Sequence, residues 1–205
     1  MFKKMYKIEA CRGLKGECKN SLLKDKDLTE GLEDLLNGIN FSKELKSKLD
    51  TSIRHHHLFK IGISACPNGC SQPQIKDLGI IAKTEVELIK DKCIKCDNCI
   101  ITCKEKAIDR NKYQVIKSDC LKCGDCFRVC QNEAIDIINS GYQLLAGGKL
   151  GRHPKLAVEF KQEIISKKSL VEEINKLLSW YLEKTDSFKK LGTVIETNKC
   201  LKEEE

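Results

Sequence analysis

Apolar and polar residues alternate along the chain in patterns that predict both strands and helices. Residues 5–10 and 58–64 alternate as half-buried strands do, and residues 78–89 have the apolar content of one or two strands. Two later stretches, "GYQLLAGG" and "KLAVEFKQEII", have the same strand character. Apolar residues recur at helical spacing over residues 28–50 and about 168–184. We therefore expect an α+β fold.

Each of the two helical stretches has one apolar face, which predicts that both helices pack against a core. The first face consists of Leu28, Leu32, Leu35, Leu36 and Ile39. The second face consists of Leu170, Val171, Ile174, Leu177, Leu178, Tyr181 and Leu182. Trp180 lies at the edge of the second face, where partial burial without a functional role is expected.

Residues 90–137 form a separate unit because they contain an internal repeat. "CIKCDNCIITCKEKAIDRN" begins at Cys93, and "CLKCGDCFRVCQNEAIDII" begins 27 residues later at Cys120 with the same cysteine spacing. Such a duplication indicates two equivalent half-modules. We therefore expect an inserted domain over residues 90–137 and a discontinuous domain formed by residues 1–89 with 138–205.

The cysteine content indicates metal ligands in a reducing compartment. The chain has 13 cysteines among 205 residues, and its opening "MFKKMYKIEACRG" lacks the apolar stretch of a secretory signal. No apolar run has the length of a membrane span. We therefore expect a cytoplasmic protein whose clustered thiols bind metal rather than form disulfides.

The formal net charge of +7 does not indicate nucleic-acid binding. Three four-iron clusters with their thiolates would bring the charge to about +1. Lysines are spread over mixed-sign segments such as "FSKELKSKLD", which is typical of solvated helix faces, and no aromatic residues are interleaved with basic patches. The expected partners therefore include neither nucleic acid nor membrane.

Eight cysteines follow the spacing C-x2-C-x2-C-x3-C twice. Three close thiolates surround one corner of a [4Fe–4S] cubane, and the fourth ligates the other cluster. Zinc is the weaker alternative, because zinc sites favour paired knuckles on separate loops. The predicted ligands are Cys93, Cys96, Cys99 and Cys130 for one cluster, and Cys120, Cys123, Cys126 and Cys103 for the second.

This segment resembles bacterial two-cluster ferredoxins over about 45 residues, and the resemblance implies electron transfer. It departs from them where a proline usually follows each fourth cysteine, since Lys104 and Gln131 stand there. This difference bears on the backbone conformation beside the fourth cysteine of each half and on the reduction potential of the clusters.

Cys66 and Cys70 in "CPNGC" lie outside the repeat, at a spacing that no ferredoxin motif uses. A third cubane needs two more thiolates, and Cys11 and Cys18 are better partners than the lone Cys200 near the end of the chain. Pro67 and Gly69 fit a sharp reversal that points backbone N–H groups at a cluster. Cys11, Cys18, Cys66 and Cys70 are therefore the predicted ligands of a third cluster.

Three blocks of the sequence resemble the sirohaem-containing sulfite and nitrite reductases. "CRGLKGEC" and "FKIGISACPNGCSQPQIKDLGIIA" resemble the two halves of their cysteine motif, and "GYQLLAGGKLGRHPKLA" resembles a glycine-rich segment of the dissimilatory and anaerobic sulfite reductases. A ferredoxin module is inserted between the same blocks in those relatives. The resemblance extends from about Lys7 to Leu191.

The resemblance implies that the Cys70 thiolate bridges the third cluster to sirohaem iron, where the substrate oxyanion is reduced. Sirohaem carries many carboxylates, so cationic side chains have to surround it. The candidates for binding those carboxylates are Arg12, Lys15, Lys19, Arg54, His55, His57, Lys60, Lys149, Arg152 and His153. The catalytic candidates beside Cys70 are Arg12, Lys60, Lys149 and Arg152.

Two departures from this family bear on function. The first cysteine pair is C-x6-C rather than C-x5-C, and Ala65 stands where a glycine usually precedes the turn. The family has pseudo-twofold proteins, and this chain resembles only the cluster-bearing half. Either a homodimer or a partner subunit supplies the other half, or the chain lacks sirohaem.

Two further motifs have less specific interpretations. The "HHH" run at residues 55–57 has no matching carboxylate, so a role at the sirohaem edge or at the surface is favoured over a metal site. Gly147, Gly148 and Gly151 do not form a nucleotide fingerprint, because no helix is expected to follow them.

The leading hypothesis is an iron–sulfur oxidoreductase of the sulfite or nitrite reductase type, with three [4Fe–4S] clusters and sirohaem. A redox donor protein would supply its electrons, and sulfite or nitrite would be its substrate. The alternative is a sirohaem-free electron-transfer protein or subunit with three clusters that serves a larger reductase. The sequence assigns neither the oxyanion nor a role for Cys200.

Overall fold

The computed structural model describes residues 4–198, without the side chains of residues 161–164. Cys200 therefore lies outside the described residues. The strands are β1 (Tyr6–Ala10), β2 (Phe59–Ser64), β3 (Leu78–Leu88), β4 (Ile108–Asp109), β5 (Gln114–Val115), β6 (Ile135–Ala146) and β7 (Val158–Ile165). The α-helices are α1 (Leu28–Gly38), α2 (Phe41–Ser47), α3 (Asn98–Thr102), α4 (Asp125–Val129), α5 (Lys167–Glu183) and α6 (Leu191–Asn198).

Five strands form one sheet in the order β1-β2-β3-β6-β7. β1, β2 and β3 are parallel to one another, whereas β6 pairs antiparallel with β3 and β7. The mixed α and β fold expected from the sequence is confirmed, as are a single strand over most of residues 78–89 and the helix near residues 168–184. No helix within residues 4–198 has both the length and the apolar content of a membrane span.

The main core lies between the sheet and helices α1, α2, α5 and α6. The ring centroid of Phe41 lies 5.1 Å from that of Phe59 and 6.3 Å from that of Tyr181, and all three side chains are buried. The leucines of α1 and the apolar face of α5 join this core, as the helical spacing predicts.

The helical stretch expected over residues 28–50 consists of two helices, because the chain leaves the helical conformation between Gly38 and Phe41. Asn40 adopts a left-handed backbone conformation with φ of 50°, which asparagine tolerates better than most residues. The break allows Leu36 on α1 and Phe41 on α2 to enter the same core.

β3 and β6 pair along their whole length, from Leu78 opposite Ala146 to Leu88 opposite Ile135. Residues 89–134 therefore leave and rejoin the sheet at one end of this hairpin. These residues pack against the end of the hairpin in a small apolar cluster, whose members include Val86, Ile108 and Ile135. β6 begins at Ile135, so it includes the last three residues of the repeat-containing range 90–137.

Candidate functional site

Two neighbouring parallel strands bring the first pair of predicted ligands together. β1 ends at Ala10 and β2 ends at Ser64, so Cys11 and Cys66 both follow the carboxyl end of a strand. The backbone N–H of Cys11 donates to the carbonyl of Ile63 at 2.9 Å. The backbone N–H of Ala65 donates to Sγ of Cys11 at 3.2 Å, which ties the two loops together.

The other two thiols enter the same region through short turns. Residues Arg12–Lys15 form a 3-10 turn that ends at Gly16 with φ of 83°, and this turn accommodates the longer C-x6-C spacing. A Cβ atom on Gly13 would lie 2.9 Å from Cβ of Ala65 and 3.4 Å from Sγ of Cys11, so the turn packs closely on the second loop. Gly69 has φ of 64° in the other turn.

All four of these thiols line one cavity of about 680 Å³, which we call the four-thiol cavity. Burial raises the pKa of the Cys66 thiol, and the nearby thiols of Cys70, Cys11 and Cys18 raise it further. Cys70 is the exposed member of the set, and the side-chain amide of Asn68 donates to its sulfur at 3.1 Å.

The repeat-containing unit arranges its eight thiols in two sets, each drawn from both halves of the repeat. One cavity, of about 300 Å³, is lined by the inner set: Cys103, Cys120, Cys123 and Cys126. A smaller cavity, of about 50 Å³, is lined by the outer set: Cys93, Cys96, Cys99 and Cys130. Burial and the other three thiols of the inner set raise the pKa of Cys126 to about 12.

The two halves of the repeat also share backbone geometry. Positive φ angles recur 27 residues apart at Lys95 and Lys122, at Asp97 and Gly124, and at Lys106 and Glu133. In each half a backbone N–H, from Ala107 or Ala134, donates to the fourth cysteine of the motif, at 3.3 and 3.2 Å. The chain thus turns after Cys103 and Cys130 without the proline usual in ferredoxins.

The ligand types of these sites fit iron–sulfur clusters. Among the described His, Cys, Asp and Glu side chains, no three are grouped around a position for a single metal ion. Four thiols instead line each cavity, and four thiolates are the ligand set of a [4Fe–4S] cluster. Mononuclear zinc would need the sulfur atoms to converge at about 2.3 Å from one point.

A second, basic cavity of about 530 Å³ lies beside the four-thiol cavity, and Gln72 lines both. Lys76 on the basic side forms an ion pair with Glu9, which lines the four-thiol cavity. The cationic and histidine side chains that line the basic cavity are His55, His56, Lys60, Lys76, Lys149, Arg152, His153 and Lys190. A surface of this charge suits a ligand with several carboxylates or an inorganic oxyanion.

Five of the predicted cationic residues line the basic cavity: His55, Lys60, Lys149, Arg152 and His153. Arg12 lines the four-thiol cavity instead. Lys15, Lys19, Arg54 and His57 line neither of the two. His57 accepts a hydrogen bond from the backbone N–H of Arg54 at 3.2 Å and packs its ring against Phe188.

His56, which was considered only as part of the "HHH" run, also lines the basic cavity. The sequence patterns did not indicate three further lining residues, Lys76, Asp77 and Lys190. Asp77 is buried, and one of its carboxylate oxygens accepts from the backbone N–H of Lys60 at 2.8 Å and from Nζ of Lys190 at 3.0 Å. Its other oxygen has no hydrogen-bond partner in the described residues. Burial raises the pKa of Asp77, whereas burial and the neighbouring lysines lower the pKa of Lys60.

The glycine-rich segment lies against the loop that follows the four-thiol cavity. A Cβ atom on Gly148 would lie 2.5 Å from the carbonyl oxygen of Lys76 and 2.8 Å from that of Gln74. The backbone N–H of Gly147 donates to the carbonyl of Asp77 at 2.8 Å. These glycines therefore permit close backbone packing that positions Lys149 at the basic cavity.

Comparison with known proteins identifies the chain's relatives. Residues 9–197 match the family described as nitrite and sulphite reductase 4Fe-4S domain. Coenzyme F420-dependent sulfite reductase of Methanocaldococcus jannaschii is 38% identical over 174 residues, which is 84% of this chain and 25% of that protein. One subunit of the anaerobic sulfite reductase of Salmonella typhimurium is 38% identical over 53 residues, 26% of this chain and 15% of that protein.

Two solved structures share the fold. Dissimilatory sulfite reductase I matches with a TM-score of 0.59 and 14% identity, over 93% of this chain and 49% of that chain. The NirA protein of Mycobacterium tuberculosis matches with a TM-score of 0.54 and 17% identity, over 96% of this chain and 26% of that chain. The chain thus spans about a quarter of the archaeal relative and about half of the dissimilatory enzyme's chain.

Proposed function

Because this chain belongs to the nitrite and sulphite reductase 4Fe-4S domain family, we propose that it is the iron–sulfur part of a sulfite or nitrite reductase. The family assignment supports an oxidoreductase with at least one iron–sulfur cluster. The observation that carries the more specific proposal is the contact between the four-thiol cavity and the basic cavity at Gln72. A redox centre would thereby lie next to an anion-binding surface.

The proposal assigns three [4Fe–4S] clusters to the three thiol sets. Cys11, Cys18, Cys66 and Cys70 would hold the cluster beside the basic cavity, and the inner and outer sets would hold the two clusters of an inserted ferredoxin-like domain at residues 90–137. Four thiols around each cavity support this assignment. The clusters supply single-electron steps when bound, and sirohaem supplies the iron at which the oxyanion is reduced.

The chain's own residues would bind and orient the anionic groups. Lys60, Lys149 and Arg152 would neutralise carboxylates of sirohaem or the substrate oxyanion, because they line one cavity in which cationic side chains outnumber acidic ones. Asp77 and Lys190 form an ion pair in the wall of this cavity. This pair would donate protons to a bound anion and accept them from it. The exposed position of Cys70 leaves its sulfur accessible to a second cofactor.

The test is anaerobic purification from cells that make sirohaem, followed by measurement of iron, extractable tetrapyrrole and the visible spectrum. The proposal predicts about twelve iron atoms per chain and one sirohaem. Replacing Cys70 with serine should uncouple the haem and cluster signals in Mössbauer spectra. A protein with twelve iron atoms but no tetrapyrrole would contradict the sirohaem assignment.

A second candidate function is a sirohaem-free electron-transfer subunit with three clusters. It is favoured by the three thiol-lined cavities, which account for electron transfer without requiring a substrate site. A homodimer or a partner subunit would then have to complete any substrate site. This candidate predicts cluster absorption alone, no sirohaem, and reduction of a partner reductase but not of sulfite or nitrite by the purified chain.

A further inference from the structure

The inner thiol set lies against the body of the protein. A Cβ atom on Gly124 would lie 2.8 Å from Cγ2 of Thr84 and 3.2 Å from Cδ2 of Leu22. The backbone N–H of Thr84 donates to the carbonyl of Lys122 at 2.9 Å, and Lys122 forms an ion pair with Glu85 at 2.5 Å. These contacts attach the second half of the repeat to β3 and to the segment before α1.

The inner set also adjoins the four-thiol cavity. Cys66 and Asn68 line both the cavity of the inner set and the four-thiol cavity, and Asn20 does so from the opposite loop. Electron tunnelling falls off steeply with distance, so a cluster at the inner site would be the one that exchanges electrons with a cluster at the four-thiol site. The outer set has no lining residue in common with the four-thiol cavity.

The outer set reaches the protein surface through one of its thiols. Cys96 is exposed, and so are two nearby apolar side chains, Ile94 at 65% and Ile101 at 79%. Ile101 also lines a shallow groove of about 410 Å³ between α3 and α4 that reaches Cys130 of the outer set. Exposed apolar side chains beside a redox site are typical of a surface that another protein covers.

The charge around the outer set indicates the chemistry of that protein. Lys90, Lys92 and Lys95 are exposed and have no ion pair in the part of the chain that the structure describes, and Asp91 is the single acid among residues 90–96. The nearby carboxylate of Asp97 is occupied by Arg110 and by the hydroxyl of Tyr113. Unpaired lysines therefore lie beside the exposed apolar side chains of this face, where they can pair with carboxylates of an acidic partner.

We propose that this face, consisting of Lys90, Lys92, Ile94, Lys95, Cys96 and Ile101, docks an acidic protein that donates one electron at a time. The proposal rests on the proposed function, since it requires a cluster at the outer set. In each encounter the reduced donor would lose one electron to a cluster held by Cys93, Cys96, Cys99 and Cys130, and no bond would be made or broken. The inner set would hold the cluster through which the electron reaches the four-thiol site.

The probe is flavodoxin hydroquinone, an acidic one-electron donor whose oxidation is followed by anaerobic stopped-flow absorbance. The test variant is Lys90→Glu/Lys92→Glu, which changes the two exposed lysines of the turn before Cys93 and replaces no cysteine. The matched control is Lys43→Glu/Lys46→Glu, the same charge change at exposed lysines of α2. At low ionic strength the test variant should react about tenfold or more slowly than the parent, and the control at the parent rate.

Salt and a second variant separate docking from damage to the clusters. At about 1 M salt the parent and the test variant should differ less than about twofold, because charges are then screened within about 3 Å. Ile101→Ser should lower the rate at every salt concentration, because it removes apolar contact rather than charge. Dithionite, a small reductant, should reduce all variants to the same extent.

Two results lead to different conclusions. If dithionite reduces every variant fully while the lysine variant and Ile101→Ser both react with flavodoxin at the parent rate, the docking face is refuted and the cluster assignment survives. If dithionite reduces no iron–sulfur signal in the parent protein, the proposed function itself fails.

Discussion

The contact between the glycine-rich segment and α6 makes a sharp prediction for Gly192→Ala. A Cβ atom on Gly192 would lie 2.1 Å from the carbonyl oxygen of Gly147, well inside the 3.4 Å at which ordinary contact begins. The two backbones have to separate by more than 1 Å, and neither side has a flexible side chain to move. Overpacking of this kind costs about 1–3 kcal/mol.

The separation also strains the hydrogen bond from Gly147 to the carbonyl of Asp77, a bond of 2.8 Å worth about 1 kcal/mol. The free energy of unfolding should therefore fall by about 2–4 kcal/mol, and the melting temperature by about 5–15 °C for a chain of this size. Anaerobic thermal and urea unfolding of the cluster-loaded protein would measure both. Lys149 donates to Thr193 and Glu196 on the same helix, so anion binding in the basic cavity should weaken as well.

Gly31→Ala is the matched control, because it makes the same chemical change at a position where a Cβ atom meets nothing within 4 Å. Gly31 lies in α1, where alanine is favoured over glycine by about 0.5–1 kcal/mol. This variant should be more stable than the parent. A Gly192→Ala protein as stable as the Gly31→Ala protein would refute the packing argument.

Three further predictions concern the thiol sets, the core and one ion-pair network. Cys103→Ser should lower the iron content from about twelve to about eight atoms, because this cysteine lies in the inner set and would ligate one four-iron cluster. Twelve retained atoms would contradict its role as a ligand. Phe41→Ala should cost about 3–5 kcal/mol in urea unfolding, since the ring is fully buried among aromatic neighbours, and a loss below about 1 kcal/mol would be inconsistent with that packing. Hydrogen bonds from Lys155 and Lys149 lower the pKa of Glu196 below its usual 4.5. The stabilising effect of the ionised carboxylate is therefore present above pH 4.5 and is lost as the pH falls through the lowered pKa. The melting temperatures of the parent and of Glu196→Gln should converge in acid, and a difference that does not change with pH would exclude this role.

Local sequence patterns were sufficient for the elements that depend on near neighbours. The apolar face of α5 and the strands around Ile61 and Ile80 follow from periodicity, because burial on one side of a helix or strand repeats every few residues. The family resemblance carried by the cysteine motifs is confirmed over residues 9–197. The assignment of individual ligands stays a prediction.

The tertiary structure decided which further charged residues join the five predicted ones in the basic cavity. Lys76 follows a short turn, Asp77 immediately precedes β3, and Lys190 precedes the unpredicted helix α6, yet all three line that cavity. The break between α1 and α2 at Asn40 is likewise a tertiary feature, because it lets Leu36 and Phe41 pack into one core. Periodicity and motif spacing extend over a few residues. The basic cavity is instead formed by packing between segments more than a hundred residues apart, so local patterns do not give its complete lining.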